Sequence, residues 1–363
     1  MFPKNAWYVA CTPDELAGDR PLGRRICGEA MVFFRGADGA VAALEDFCPH
    51  RGAPLSLGRV VDGTLQCGYH GLRMGCEGKA ESMPGQRMGV FPAIRRYAAA
   101  EHHGFVWVWP GRIEDADPLA LPQLAWAGQP DWAYGGGMYH VNCDYRLMID
   151  NLMDLTHETY VHAGSIGQKE IDEVAPQTRT EGDEVITERR MFDIPAPPFW
   201  QMALRGMGLP DDRPVDRWQI CRFTPPSQVM IEVGVALAGQ GGHEADPAVK
   251  ASSIVVDFIT PETERSIWYF WGMARRFKPE DPALTDSIRE GQRKIFGEDL
   301  QMLERQQQNL EAWPERRLMK LNIDAGGTFS RRVLERLVAQ ERAASGHVDC
   351  RSSVFPHGKE QMR

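Results

Sequence analysis

Over the first 110 residues, apolar side chains recur in short runs separated by turn formers. Ala30-Met-Val-Phe-Phe34 and Ala40-Val-Ala-Ala-Leu44 flank Gly36-Ala-Asp-Gly39, a hairpin pattern, and Gly104-Phe-Val-Trp-Val-Trp109 closes the series. Residues 1–115 are therefore expected to form an all-β domain. From about 110 to 135 the chain turns rich in Pro, Ala, Asp and Trp, as in Asp117-Pro-Leu-Ala-Leu-Pro122, the composition of a connection. A second domain, 116–345, is expected to be α+β. It opens with a strand candidate at 138–145, continues with strand-like runs at 229–235, 253–259 and 266–271, and carries a long helix from about 285 to 311. Residues 346–363 follow no usable pattern and are expected to be a flexible tail.

One stretch interrupts the apolar pattern with polar side chains: Asn151-Leu-Met-Asp154-Leu-Thr-His157-Glu158-Thr-Tyr-Val-His162. As a helix it puts Asn151, Asp154 and His157 at i, i+3 and i+6 on one face, with His162 just past it, where the helix must end or bend. Two neutral imidazoles suit an Fe(II) site of the two-histidine, one-carboxylate kind, although such a pair alone is more often structural than metal-binding. The zinc-peptidase pattern fails, because it needs a histidine four residues after His157 and that position is Val161. The long helix offers the carboxylate. Asp299 has Ile295, Met302 and Leu303 at i−4, i+3 and i+4, so it is expected on the apolar stripe, where a carboxylate is costly unless paired or metal-bound. Glu298, next to Lys294 and Gln301, is expected to face solvent.

Eight cysteines are scattered over 363 residues, which favours metal ligation or free thiols over disulfides. Cys11, Cys27, Cys76, Cys143, Cys221 and Cys350 read as inert thiols. Cys48 and Cys67 do not, for they lie in Cys48-Pro-His50-Arg-Gly52 and Cys67-Gly-Tyr-His70-Gly71. Paired loops that each carry one Cys and one His, in matched order, can hold one tetrahedral zinc or a Rieske [2Fe-2S] cluster, in which two His replace two Cys on one iron. The net charge of −9 argues against a nucleic-acid partner, and no apolar run approaches a membrane span. The chain opens without a leader pattern, so a cytoplasmic location is expected. No Gly-x-Gly-x-x-Gly follows a strand, and Gly135-Gly-Gly137 lacks the spacing, so neither flavin nor nicotinamide has an expected site here.

With both motifs in one chain, the sequence resembles the Rieske non-haem iron aromatic oxygenases nearly end to end. The resemblance implies that Cys48, His50, Cys67 and His70 ligate the cluster and that His157, His162 and Asp299 hold a mononuclear Fe(II). It also implies that Asp154 bridges His157 to a cluster histidine, His70, of a neighbouring copy in a homotrimer, with Asn151 near the iron. The implied reaction is O-demethylation of vanillate to protocatechuate and formaldehyde, with O2 and electrons from NADH. Those electrons would arrive through a separate reductase carrying flavin and a plant-type [2Fe-2S] centre. For the substrate, Arg217 and Arg222 are candidate partners of an anionic benzoate, and Trp200, Trp218, Trp268 and Tyr269 are candidate aromatic walls. The competing readings are an oxygenase for another methoxybenzoate or aromatic acid, a cis-diol-forming dioxygenase, a Rieske electron-transfer protein without oxygen chemistry, and a zinc-binding interaction protein.

Overall fold

The alternating runs of the first hundred residues fold as two antiparallel sheets in the computed structural model, which describes residues 1–164 and 166–346. The larger has six strands in the order Tyr8–Cys11, Phe105–Trp109, Arg96–His102, Val41–Glu45, Glu29–Arg35 and Leu22–Ile26. Met31, Val32, Phe33 and Phe34 are all buried because both faces of this sheet are covered. Met31 and Phe33 pack into a core shared with the second domain, while Val32 and Phe34 pack against Cys48, Leu55, Leu65 and Cys67. Period-two alternation thus sends one set of side chains to each neighbour. The smaller sheet, Arg59–Val61, Thr64–Gln66, Arg73–Met74 and Ala80–Ser82, carries the second Cys/His loop between its middle strands.

The second domain is built on a seven-stranded antiparallel sheet. Its order is Ala133–Val141, Ser266–Arg275, Lys250–Thr263, Gln228–Leu237, Val215–Thr224, Glu184–Ile194 and Gln177–Glu181. Around it lie α1 (Tyr145–Leu152), α2 (Glu158–Val161), α3 (Glu170–Glu173), α4 (Pro198–Gly206), α5 (Pro282–Ala312) and α6 (Ala325–Gly346). The α+β class expected from the pattern is what the chain adopts. The strand candidate at 138–145 ends at Val141, and Asp144 instead caps α1 by accepting from the Arg146 amide at 2.9 Å. Helix α5 starts where Asp281 caps the Leu284 amide and Pro282 occupies the first turn. It crosses close to the edge strand at Gly135, where a Cβ would lie 2.7 Å from Thr285 Cγ2. Gly135 is therefore a point of helix–sheet approach, while Gly136 and Gly137 make room for Tyr134 and Trp271. No helix among the described residues is long and apolar enough to cross a membrane. Of the expected tail, Gly346 ends α6 and 347–363, with Cys350, lie outside the described residues.

The two domains share backbone contacts. The Leu22–Ile26/Glu29–Arg35 hairpin turn donates from Cys27 N to Pro261 O at 2.7 Å and from Gly28 N to Glu262 O at 3.0 Å. Thr260 Oγ1 donates to Val9 O at 2.7 Å.

Candidate metal and substrate site

The expected single helix over 151–162 is two helices. Helix α1 stops at Leu152, and Asp154 Oδ1 then accepts from the Thr156 amide at 2.7 Å and from the Thr156 hydroxyl. This local turn competes with helical backbone bonding, so the chain bends before α2 begins after His157. The bend brings His157 and His162, which flank α2, towards α5, and the rings sit 5.2 Å apart.

Asp299 closes the set. His157 Nε2 lies 3.6 Å from Asp299 Oδ1, and His162 Nε2 lies 3.3 Å from Asp299 Oδ2. Ligand atoms of all three fall within 4.8 Å of one another. Donors held at roughly 2.0–2.2 Å from one ion lie about 3.0–3.5 Å from each other, so the two His–Asp299 spacings fit a metal of the Fe(II) type. Asp299 is buried on the α5 stripe formed with Ile288, Gln292, Phe296 and Leu303, whereas Met302, expected on that stripe, is exposed.

Glu298 does not simply face solvent. Its Oε2 lies 2.8 Å from His162 Nδ1, which sets the tautomer that leaves Nε2 with its lone pair towards the other ligands. Helix phase could not reveal this partner, because His162 comes from a segment 136 residues away. Asn151 Nδ2 donates to Asp299 Oδ1 at 3.1 Å, and Asp154 Oδ2 stands 3.7 Å from His157 Nδ1. Burial pulls both histidines down. The carboxylates outweigh it, chiefly Asp154 and Asp299 for His157 and Asp299 and Glu298 for His162, so both end above the ordinary imidazole value.

Beside the triad opens a cavity of about 230 Å³. One wall is the α5 stripe, with Ser287, Ile288, Gly291, Gln292, Ile295 and Phe296. The other is the sheet face that carries Arg217, Gln219, Ile231, Val233, Val255 and Met273, all at odd positions. Trp200 and Phe199 of α4 cover it. Of the substrate candidates, Arg217 and Trp200 line this cavity. Arg222, at an even position, does not; it pairs with Glu184 at 2.9 Å. Trp218 lies on the far face of the sheet, lining a separate cleft. Trp268 packs against the first domain, donating to Arg25 O at 3.1 Å and lying under Arg24. Tyr269 is core, its hydroxyl donating to Asp257 at 2.6 Å. Parity along the strands was the available signal for Arg222.

The two Cys/His loops share one backbone frame. Cys48 N donates to Ala53 O at 2.9 Å and Gly52 N to Cys48 O at 2.8 Å; Cys67 N donates to Leu72 O at 2.8 Å and Gly71 N to Cys67 O at 3.0 Å. Gly52 and Gly71 take φ of 70° and 78°, a conformation that disfavours a side chain. Cys48 and Cys67 are buried and within hydrogen-bonding reach of each other. His50 and His70 lie at the outer edge, ring centroids 4.5 Å apart, with Tyr69 and Phe47 exposed beside them. Two inner thiols and two outer imidazoles match a cluster with one sulfur-ligated and one nitrogen-ligated iron. Cys11 and Cys143, by contrast, are buried thiols that burial pushes up to about 12, inert as expected.

Comparison with known proteins finds two family matches in the chain. Residues 6–97 match the Rieske [2Fe-2S] domain and residues 141–340 the vanillate O-demethylase oxygenase C-terminal domain. The chain is 69% identical over 345 residues to the vanillate O-demethylase oxygenase subunit of Pseudomonas sp. strain HR199, covering 95% of this chain and 97% of that protein. It is 36% identical over 352 residues to the oxygenase component of dicamba O-demethylase from Stenotrophomonas maltophilia, covering 94% and 99%. Among solved structures, dicamba monooxygenase bound to 3,6-dichlorosalicylic acid superposes with a TM-score of 0.86 at 33% identity, covering 94% of this chain and 99% of that one.

Proposed function

The chain belongs to the Rieske oxygenases, with the vanillate O-demethylase oxygenase subunits, and from that premise we propose that it converts vanillate to protocatechuate and formaldehyde. The observation that carries the reading is the convergence of His157, His162 and Asp299 beside a mostly apolar cavity, in a chain that also has a Rieske domain. The match of residues 6–97 to the Rieske [2Fe-2S] domain, and a cavity beside the second site, speak against the zinc-binding and pure electron-transfer readings.

His157, His162 and Asp299 would hold the mononuclear iron; Cys48 and Cys67 would hold one cluster iron, and His50 and His70 the other. When bound, the cluster supplies single electrons and the mononuclear iron the activation of dioxygen. Glu298 keeps His162 in the ligating tautomer, and Asn151 steadies the Asp299 carboxylate. Phe199, Trp200, Val233 and Phe296 shield the methoxy group from water. In the net reaction one C–H bond of the methoxy carbon becomes C–OH, and the second oxygen atom of O2 leaves as water with two electrons and two protons. The hemiacetal then breaks its bond between the aryl oxygen and the former methyl carbon, giving the phenol and formaldehyde.

A separate reductase delivers the electrons. We assign to it the flavin, a plant-type [2Fe-2S] centre and NADH oxidation, since this chain has no dinucleotide fingerprint. The exposed His50 and half-buried His70 at the outer edge, and the partly exposed Asp154 beside His157, support a homotrimer in which Asp154 meets the partner subunit's His70. A cytoplasmic location fits the free thiols of the described residues.

The test is anaerobic purification, iron count, EPR of the dithionite-reduced protein and single-turnover formaldehyde release from vanillate. About three irons per chain, a Rieske signal and stoichiometric formaldehyde are expected. Full iron without formaldehyde would turn the search to other methoxybenzoates; zinc without a signal would end the proposal.

A further inference from the structure

Two residues that line the cavity, Glu158 and Gln219, each carry a buried acceptor atom without a donor. Glu158 is 8% exposed and Gln219 is 2% exposed. Gln219 Nε2 donates to Glu158 Oε1 at 2.5 Å. That bond fixes the amide, nitrogen towards the carboxylate, so Gln219 Oε1 is turned away from it. Neither Gln219 Oε1 nor Glu158 Oε2 has a hydrogen-bond partner. The nearby cation does not remove the deficit: Arg217 Nη2 stays 3.7 Å from Glu158 Oε2, beyond hydrogen-bond range, and Arg217 Nη1 is engaged by Gln168 Oε1 at 2.6 Å. Unmet buried acceptors call for a donor from whatever occupies the cavity.

The geometry points to Glu158 and Gln219 as the acceptors of a substrate phenol O–H, the hydroxyl ortho to the reacting methoxy group of a 4-hydroxy-3-methoxybenzoate, an inference that rests on the oxygenase reading above. The chemistry of the pair selects the group. A benzoate carboxylate brings only lone pairs and a negative charge and is repelled by Glu158, whereas a phenol brings a proton to donate. The position selects it too, because Glu158 follows His157 directly and both line the same cavity. With the methoxy group at the triad and its ortho hydroxyl on this pair, the acid group, para to that hydroxyl, points away from Glu158. Arg217 then balances the Glu158 charge and does not receive the acid. The site discriminates by hydrogen bonding: vanillate brings one proton for the pair to share, whereas 3-methoxybenzoate and 3,4-dimethoxybenzoate bring none.

The experiment uses the iron-loaded holoenzyme, anaerobic and without reductase, so that binding is read without turnover. Dissociation constants of vanillate, 3-methoxybenzoate and 3,4-dimethoxybenzoate are measured by calorimetry, and formaldehyde release is measured separately. The parent is expected to bind vanillate at least about tenfold more tightly than either analogue, the worth of a hydrogen bond to a charged acceptor. Glu158→Gln and Gln219→Met, each checked for Rieske signal and iron content, should cut that ratio to about threefold or less, chiefly through vanillate. An unchanged ratio in both variants, or equal losses for all three acids, overturns the inference while leaving the oxygenase reading intact. A parent that neither binds nor demethylates vanillate overturns both.

Discussion

Replacing Glu298 by alanine removes the carboxylate 2.8 Å from His162 Nδ1 while touching none of the three ligand atoms. The imidazole then loses the acceptor that fixes its tautomer and orients its ring. Such partners of metal-bound histidines are worth about 10- to 100-fold in metal affinity, or roughly 1.4–2.8 kcal/mol. The Glu298 side chain is 30% exposed, so water can replace part of the interaction and the lower half of that range applies. Glu298→Gln keeps an oxygen acceptor without the charge and should lose less than about fivefold. The assay is anaerobic competition with a chelator, with mononuclear iron counted against the Rieske EPR signal as an internal control in the same sample. Iron should leave the alanine variant at chelator concentrations about tenfold lower, with the cluster signal unchanged. Equal retention in parent and alanine variant would refute the reasoning. So would parallel loss of the cluster, because Glu298 would then act through general stability.

Three further outcomes follow from where side chains sit. Asp257 is fully buried; burial, partly offset by the Tyr269 hydroxyl it accepts, pushes its carboxyl up to about 8. An unfolded Asp titrates near 4, so the stability linked to this proton is complete below about pH 4 and is lost as pH rises towards 8. Asp257→Asn should therefore shift the melting temperature in the variant's favour, relative to the parent, by several degrees between pH 5 and pH 8, and a pH-independent gap would contradict the assignment. Arg222→Ala should leave kcat/KM for vanillate within about twofold, since Arg222 pairs with Glu184 away from the cavity, whereas Trp200→Ala should lower it at least about tenfold by opening the apolar cover. Formaldehyde release measures both, and a strong Arg222 effect would place the substrate elsewhere.

Local rules carried much of this protein in its sequence. Matched Cys-x-His and Cys-x-x-His loops announced a ligand set for zinc or a [2Fe-2S] cluster, because each loop's spacing is set within a few residues of backbone. Alternating runs announced the strands, and helix phase alone put Asp299 on the buried stripe of α5. What the tertiary structure decided were the partnerships between distant segments. The Asp154–Thr156 turn broke the expected helix, since a side chain that bonds its own backbone competes with helical pairing. Glu298 looked outward by phase, yet His162 arrives from another segment to meet it. Gly135, meaningless as a nucleotide motif, marks where α5 crosses the sheet edge. Glu158 gained its meaning only when α2 packed against the sheet face that carries Gln219 and Arg217. Periodicity tells which face a side chain takes; only the packed chain determines what waits on that face.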